Sequence, residues 1–269
     1  MGLWQAILLG LIALILTPGY LFYFDVTPKV AVLLLGTAGL LLAARGIRAS
    51  KLFSALILLN LASLALSTLL SSRPGLSLMG TGWREFGLVP HAAALVFAWL
   101  VAGNPAGVRP ILRGVAISGL IAGTYGIAQY FGWDPILPAA AYHVGEGIWT
   151  IVRPPGTMGY VSYFAAWLAM ASILSAALTR MEEQTAWRYL AWAAAAVCAF
   201  AMALTGTRAA MLGLVAGCVV WLWIGGWRVS RRTAALAATV AAAAALFYFS
   251  PAGWNLRSRS RWLDRKSVV

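Results

Sequence analysis

The sequence predicts an all-α membrane protein, a polytopic transmembrane helical bundle of about nine spans, and three observations carry that prediction. Hydrophobic residues make up 62% of the 269 positions and charged residues 10%, against roughly a quarter charged in ordinary soluble domains. A soluble fold could not hide that much apolar surface. The apolar residues also gather in runs near the ~20 residues a helix needs to cross the hydrocarbon core with its backbone groups bonded internally. Finally, the basic residues behind the formal net charge of +13 fall mostly in short gaps between these runs. That is where topology signals sit, and it argues against a nucleic-acid-binding face.

Taken in order, the predicted spans cover approximately 3–24, 29–45, 51–71, 88–104, 109–131, 157–178, 188–205, 208–227 and 232–250. The first has no Lys or Arg ahead of its apolar stretch and no small-residue cleavage pattern, so it reads as a retained span and not as a signal peptide. The fourth, opening with Pro90 and His91, is short. The seventh and eighth are separated by almost nothing. Two gaps, 71–87 and 132–156, are longer than a turn requires, and the second carries Pro135, Pro138, Pro154 and Pro155. Residues 1–250 thus form a transmembrane domain. The basic stretch after it, within 251–269, reads as the start of an outer loop that has been cut off.

Orientation follows from the Lys and Arg count in alternate gaps, because the cytoplasmic side collects them. With the amino terminus inside, the inner gaps hold Arg45, Arg48, Lys51, Arg109, Arg113, Arg180, Arg188, Arg228, Arg231 and Arg232. The outer gaps before residue 251 hold only Lys29, Arg73, Arg84, Arg153 and Arg208. A cytoplasmic amino terminus is therefore expected. Trp4, Trp83, Trp133, Trp149, Trp187, Trp227 and Trp254 lie at or near span ends, where an amphipathic ring suits the headgroup layer.

The usual signatures of soluble enzymes are missing: no Walker loop, no Rossmann glycine pattern after a strand, no His-Glu-x-x-His and no Gly-x-Ser-x-Gly. No metal is expected, since His91 and His143 are far apart and the seven acidic residues cluster around neither. Cys198 and Cys218 sit inside apolar runs and read as packing residues. The informative side chains are arginines on the side where topology does not want them. Arg153 stands in Arg153-Pro-Pro-Gly-Thr-Met-Gly159 at the outer mouth of the sixth span, and Arg208 in Leu204-Thr-Gly-Thr-Arg-Ala-Ala210 between the seventh and eighth. Each guanidinium presents a rigid fork suited to phosphate, strengthened at a low-dielectric interface. Each, Arg153 above all, also fits a side chain that snorkels to anchor a helix end.

The run from Arg153 to Ala166, followed some forty residues later by Leu-Thr-Gly-Thr-Arg-Ala-Ala-Met-Leu-Gly213, resembles the O-antigen ligase family of bacterial envelope enzymes. Ser71-Ser-Arg-Pro-Gly-Leu-Ser-Leu-Met-Gly80 and Trp83-Arg-Glu-Phe-Gly87 resemble that family's first outer-loop pattern. The resemblance covers most of residues 65–225. It implies a polytopic glycosyltransferase of the C type in the bacterial inner membrane, working without metal or cofactor in lipopolysaccharide, O-antigen or surface polysaccharide biosynthesis. Such an enzyme takes a glycan from an undecaprenyl-pyrophosphate carrier and joins it, on the outer face, to an acceptor hydroxyl such as a sugar of the lipid A core. Carried over by motif, Arg208 would bind the carrier's pyrophosphate and stabilise it as leaving group. Arg153 would share that work, and Arg73 and Arg84 would add to the positive field. Two departures are evident: Tyr160 and Ser162 stand where relatives commonly have asparagines, and the later outer loop that carries the presumed base, a histidine, does not occur before Val269.

An O-antigen polymerase or a protein O-oligosaccharyltransferase would share these features. A lipid-linked glycan transporter or flippase is the alternative from another class. Ion-coupled transport usually needs ionisable groups at mid-membrane, whereas Asp25, Glu85, Asp134, Glu146, Glu182, Glu183 and Asp264 all fall in gaps, tails or span ends.

Overall fold

A computed structural model describes residues 1–17, 25–44, 46–47, 49–81, 84–137, 143–144 and 151–224. The predicted ninth span at 232–250 and the basic tail from 251 lie outside the described residues, as do Arg45, Arg48, Trp83, Glu146, Trp149, Trp227, Arg228, Arg231, Arg232, Trp254 and Asp264. The chain divides into two units, Met1–Val215 and Ala216–Val269. The architecture below is that of the first; the described part of the second continues its last helix.

Among the described residues the protein is helical apart from one minute ladder. Its helices are α1 (Gly2–Leu14), α2 (Thr27–Ala43), α3 (Lys51–Leu69), α4 (Pro74–Met79), α5 (Leu88–Ala102), α6 (Val108–Tyr130), α7 (Val161–Met181), α8 (Thr185–Leu204) and α9 (Arg208–Ile224). All but α4 coincide with predicted spans. Among the described residues, four helical stretches are long and apolar enough to cross a membrane: Lys51–Leu69, Pro105–Tyr130, Val161–Met181 and Thr185–Leu204. The remaining apolar helices, α1, α2, α5 and α9, are shorter. Exposed leucines cover α3, with Leu52, Leu58, Leu59 and Leu69 each more than 60% accessible. Such a surface suits lipid and not water.

Three boundaries differ from the sequence reading. The helix of the first span stops at Leu14, where Ile15 turns to extended backbone. The sixth span begins as a helix at Val161 and not at 157. Gly156 and Gly159 both adopt positive φ, at 56° and 69°, and the residues from Gly156 to Met158 form a 3₁₀ turn instead. Left-handed backbone at two positions so close together cannot continue an α-helix. The 71–87 gap contains α4, started by Pro74 and ended at Gly80, whose φ is 90°; proline at the first helical position and glycine after the last suit a single short helix. In the second long gap, β1 (His143–Val144) pairs antiparallel with β2 (Ile151–Val152).

The centre of the bundle is α6, and small residues let its neighbours come close. A Cβ at Gly114 would stand 2.9 Å from Ala6 O on α1, and one at Gly119 2.9 Å from Cys198 Sγ on α8. At Gly123 it would meet Val197 at 3.0 Å, and at Gly126 Phe164 of α7 at 2.5 Å. Cys198 is fully buried, in the packing role expected of it, whereas Cys218 on α9 is exposed. Phe164, itself fully buried, fills the space between Gly126 and Gly156. It therefore packs α7 against α6 and seats the turn that precedes α7.

Contacts sort the connections into two ends. At one end the Gln5 side chain donates to Leu100 O and accepts from Asn104 Nδ2, both at 2.9 Å. Gly2 packs on Gly107 and Gly103 on Ile47 there, and Arg113 pairs with Glu182 at 2.7 Å. The guanidinium of Arg113 also lies 4.5 Å from the Trp187 ring, and its hydrogen bonds hold the Glu182 carboxyl below the usual range. At the other end Lys29 meets residues 15 and 157, Thr27 donates to Glu85 at 2.8 Å, and Arg153 donates to Thr205. Successive long helices thus run in alternating directions, and Arg73, Arg84, Arg153 and Arg208 share one end.

The tight seat of Phe164 generates a stability prediction. Replacing Gly126 by Ala should lower protein stability in detergent by roughly 1–3 kcal/mol through overpacking, while Gly39→Ala, where a Cβ meets nothing within 4 Å, should not destabilise. Thermal unfolding of the two variants checks this; equal midpoints would contradict the packing.

Candidate functional site

The candidate site is built where α1 stops. A helix that ends leaves its last carbonyls without intrahelical partners, and beside apolar chains those groups must be satisfied. Two other segments supply the donors. Lys29, in the first turn of α2, donates through Nζ to Ile15 O at 2.5 Å and to Thr157 O at 2.8 Å. Thr157 Oγ1 donates to Ala13 O at 2.7 Å. A cation is also the favourable charge at a helix carboxyl end. The 3₁₀ turn that follows Arg153 is in this way tied to α1 and α2 together. Gly159, with its positive φ, lies so close to the Asp25 carboxylate that a side chain there would collide with it.

A second network holds the same turn from the side of α6. Gln129, fully buried, accepts from the Gly156 N–H at 2.9 Å and donates to Asp134 Oδ2 at 2.7 Å. Asp134 Oδ1 takes the Tyr125 hydroxyl at 2.7 Å and the N–H groups of Ile136 and Leu137 at 2.9 Å. Partial burial pushes the Asp134 carboxyl up, but these four donors outweigh it and hold its pKa below the ordinary value, as expected for a carboxylate that accepts several hydrogen bonds.

On this framework the structure brings together the two motifs that lie about forty residues apart in sequence. Arg153, half-buried, donates through Nε to Thr205 O at 3.4 Å. Thr205 opens the turn between α8 and α9, Gly206 follows with φ 67°, and Arg208 is the first residue of α9 and is exposed. With Nε engaged, the Nη groups of Arg153 remain the forked face of the guanidinium. Arg73 and Arg84 stand at the same end but on the separate 71–87 segment. Both are exposed, and their backbone hydrogen bonds are local: Arg73 N–H donates to Ser71 Oγ at 3.1 Å and Arg84 N–H to Thr81 O at 2.9 Å. The structure does not join either of them to Arg153 or Arg208.

Among the described residues, no three or more His, Cys, Asp or Glu side chains gather closely enough to hold a metal ion. His91 lies in the first turn of α5 against the Phe86 ring, with centroids 3.9 Å apart. Sequence reasoning read Lys29 and Asp134 only as charged residues in gaps, and gave no role to Gln129 or to Thr205. The signal available for Lys29 was a lone cation at a span start; the others carry no pattern that sets them apart from ordinary polar residues at span ends. No family model, no curated protein and no solved structure matches this chain.

The Asp134 network carries a signed pH prediction. A carboxylate with a depressed folded pKa contributes stability that is present above its unfolded pKa, near 3.9, and is lost as pH falls through the folded value. Asp134→Asn should therefore lower the unfolding midpoint at neutral pH, and its deficit relative to the parent should shrink below about pH 4. A deficit of constant size down to the most acid pH tolerated would show that the charge of Asp134 is not what holds the turn.

Proposed function

We propose that this protein transfers a glycan from an undecaprenyl-pyrophosphate carrier to an acceptor hydroxyl at the outer face of a bacterial inner membrane, without a metal ion or other cofactor. The observation that carries the reading is the position of Arg208 as first residue of α9, directly after the turn whose Thr205 carbonyl receives Arg153. A helix amino terminus carries unsatisfied N–H groups and about half a positive charge, so a cation there weakens the helix by roughly 0.3–1 kcal/mol. The same arrangement favours a bound dianion, because the guanidinium, the helix end and a second arginine act with one sign.

In such a transfer the acceptor oxygen attacks the anomeric carbon of the first sugar, the bond from that carbon to the pyrophosphate oxygen breaks, and the acceptor proton passes to a base. The pyrophosphate leaves with an added negative charge. Arg208, helped by Arg153, would stabilise that charge as it develops, which is a large catalytic term at a site with little water. Arg73 and Arg84 would strengthen the positive field of the same end without touching the leaving group. Lipid A core, another glycan or a protein hydroxyl would all serve as acceptor to this half of the chemistry. A bundle of nine spans with a cytoplasmic amino terminus and an outward cavity completes the proposal.

In the complete protein, Arg208→Ala should cut glycan transfer by roughly a hundredfold to a thousandfold, with Arg208→Lys recovering part of it and a chelator changing nothing. Undiminished transfer by Arg208→Ala would end the assigned role, and counterflow of carrier lipid across liposomes without transfer would favour a flippase. Orientation is tested separately. A periplasm-dependent reporter should be active when fused after Gly132 and inactive after Gly107, and the opposite pattern would put the arginines on the wrong face.

A further inference from the structure

Thr205 is completely buried, accepts from Arg153 through its carbonyl and stands three residues before Arg208. Its hydroxyl donates to Met202 O at 2.7 Å and accepts from the Thr207 N–H at 3.2 Å, and the two hydroxyls of Thr205 and Thr207 are 3.1 Å apart. Its carbonyl takes Arg153 Nε. One side chain thus closes α8, through the Met202 carbonyl, and fixes the residue immediately before Arg208. One backbone group of the same residue orients Arg153.

We infer that Thr205 is a positioning residue that sets Arg208, and through its carbonyl Arg153, against a shared pyrophosphate group; this rests on the proposed carrier-lipid site. Gly206 between the two threonines has left-handed backbone and gives the turn no side chain to hold it. The Gly206 N–H donates to Ala203 O at 3.1 Å and holds the α8 side of the turn, while on the α9 side the Thr207 N–H is held by the Thr205 hydroxyl. Without that hydroxyl the Thr207 N–H loses its acceptor, and the turn gains freedom at the residue that fixes where α9 and its first guanidinium begin. Serine keeps the oxygen and should keep the geometry. Valine has nearly the same volume as threonine but cannot bond, so it removes the constraint with little change in packing.

The test is a double-mutant cycle on the complete protein in nanodiscs, reading the dissociation constant of undecaprenyl pyrophosphate, with undecaprenyl alcohol as the uncharged control. Thr205→Val should weaken pyrophosphate binding roughly tenfold, the equivalent of one well-placed hydrogen bond. Thr205→Ser should restore it, and the alcohol should not discriminate among the variants. In an Arg208→Ala background the same valine change should cost little, since the group it positions is gone. Equal losses in both backgrounds, or a serine variant as weak as valine, would show a merely structural residue and overturn the inference while leaving the arginine site intact. If Arg208→Ala itself binds as the parent does, the pyrophosphate site fails and the positioning role falls with it. Should the valine variant not fold, Thr205→Ala compared with Thr205→Ser in the same cycle gives the same decision.

Discussion

The seat of Phe164 is the constraint on which the rest of the arrangement depends. A full aromatic ring is held between Gly126 of α6 and Gly156 of the turn that precedes α7. Only glycine permits that approach from either side, because a Cβ at either position would enter the ring. The ring brings α7 onto α6 and fixes the height at which α7 starts. With that height set, the Arg153–Gly159 segment has to cross the end of the bundle as a tight turn with two left-handed glycines, and Arg153 arrives beside the turn joining α8 to α9. The packing link thus precedes the electrostatic one: the arginine is delivered by a buried glycine and phenylalanine contact at the junction of α6, α7 and the turn between them.

Around this contact, polar groups are spent on backbone satisfaction and not left to water. α1 ends early, and its open carbonyls are met by Lys29 and Thr157; Gln129 carries the constraint from the Asp134 carboxylate to the Gly156 N–H. An unpaired buried carbonyl or amide costs about as much as a lost hydrogen bond, so each of these side chains is held in place by the group it satisfies. The result is a turn tied to α1, α2 and α6 at once. Such a support suits electrostatic work, where the donors must be aimed before the charge appears.

Much of this was legible in the sequence, and the reasons for the rest are physical. Apolar runs mark the long helices among the described residues, because crossing a bilayer imposes length and composition on a segment, whatever it packs against. The ends were less legible. α1 stops at Leu14 although apolar residues continue, and α7 starts at Val161 although the run begins earlier, because its preceding glycines take left-handed backbone. The close-packed face of α6 leaves a readable trace, Gly114, Ser118, Gly119, Ala122, Gly123 and Gly126 at near-helical spacing. The candidate site was half legible. Arg153 and Arg208 stand out as cations at the sparsely charged end, and Arg73 and Arg84 share that end without joining them. Thr205, Gln129 and Asp134 owe their roles to neighbours distant in sequence, which residue type alone does not disclose.

The central claim is that one end of this bundle holds a pyrophosphate between Arg153 and the first turn of α9. Its most direct test is a cryo-electron microscopy structure of the complete protein in nanodiscs loaded with undecaprenyl pyrophosphate. The account predicts phosphate density in contact with the guanidinium of Arg153 and the amino end of α9, on the same side as the Gly156–Gly159 turn. Density for the carrier's head group at the opposite end, near Arg113 and Glu182, would contradict it.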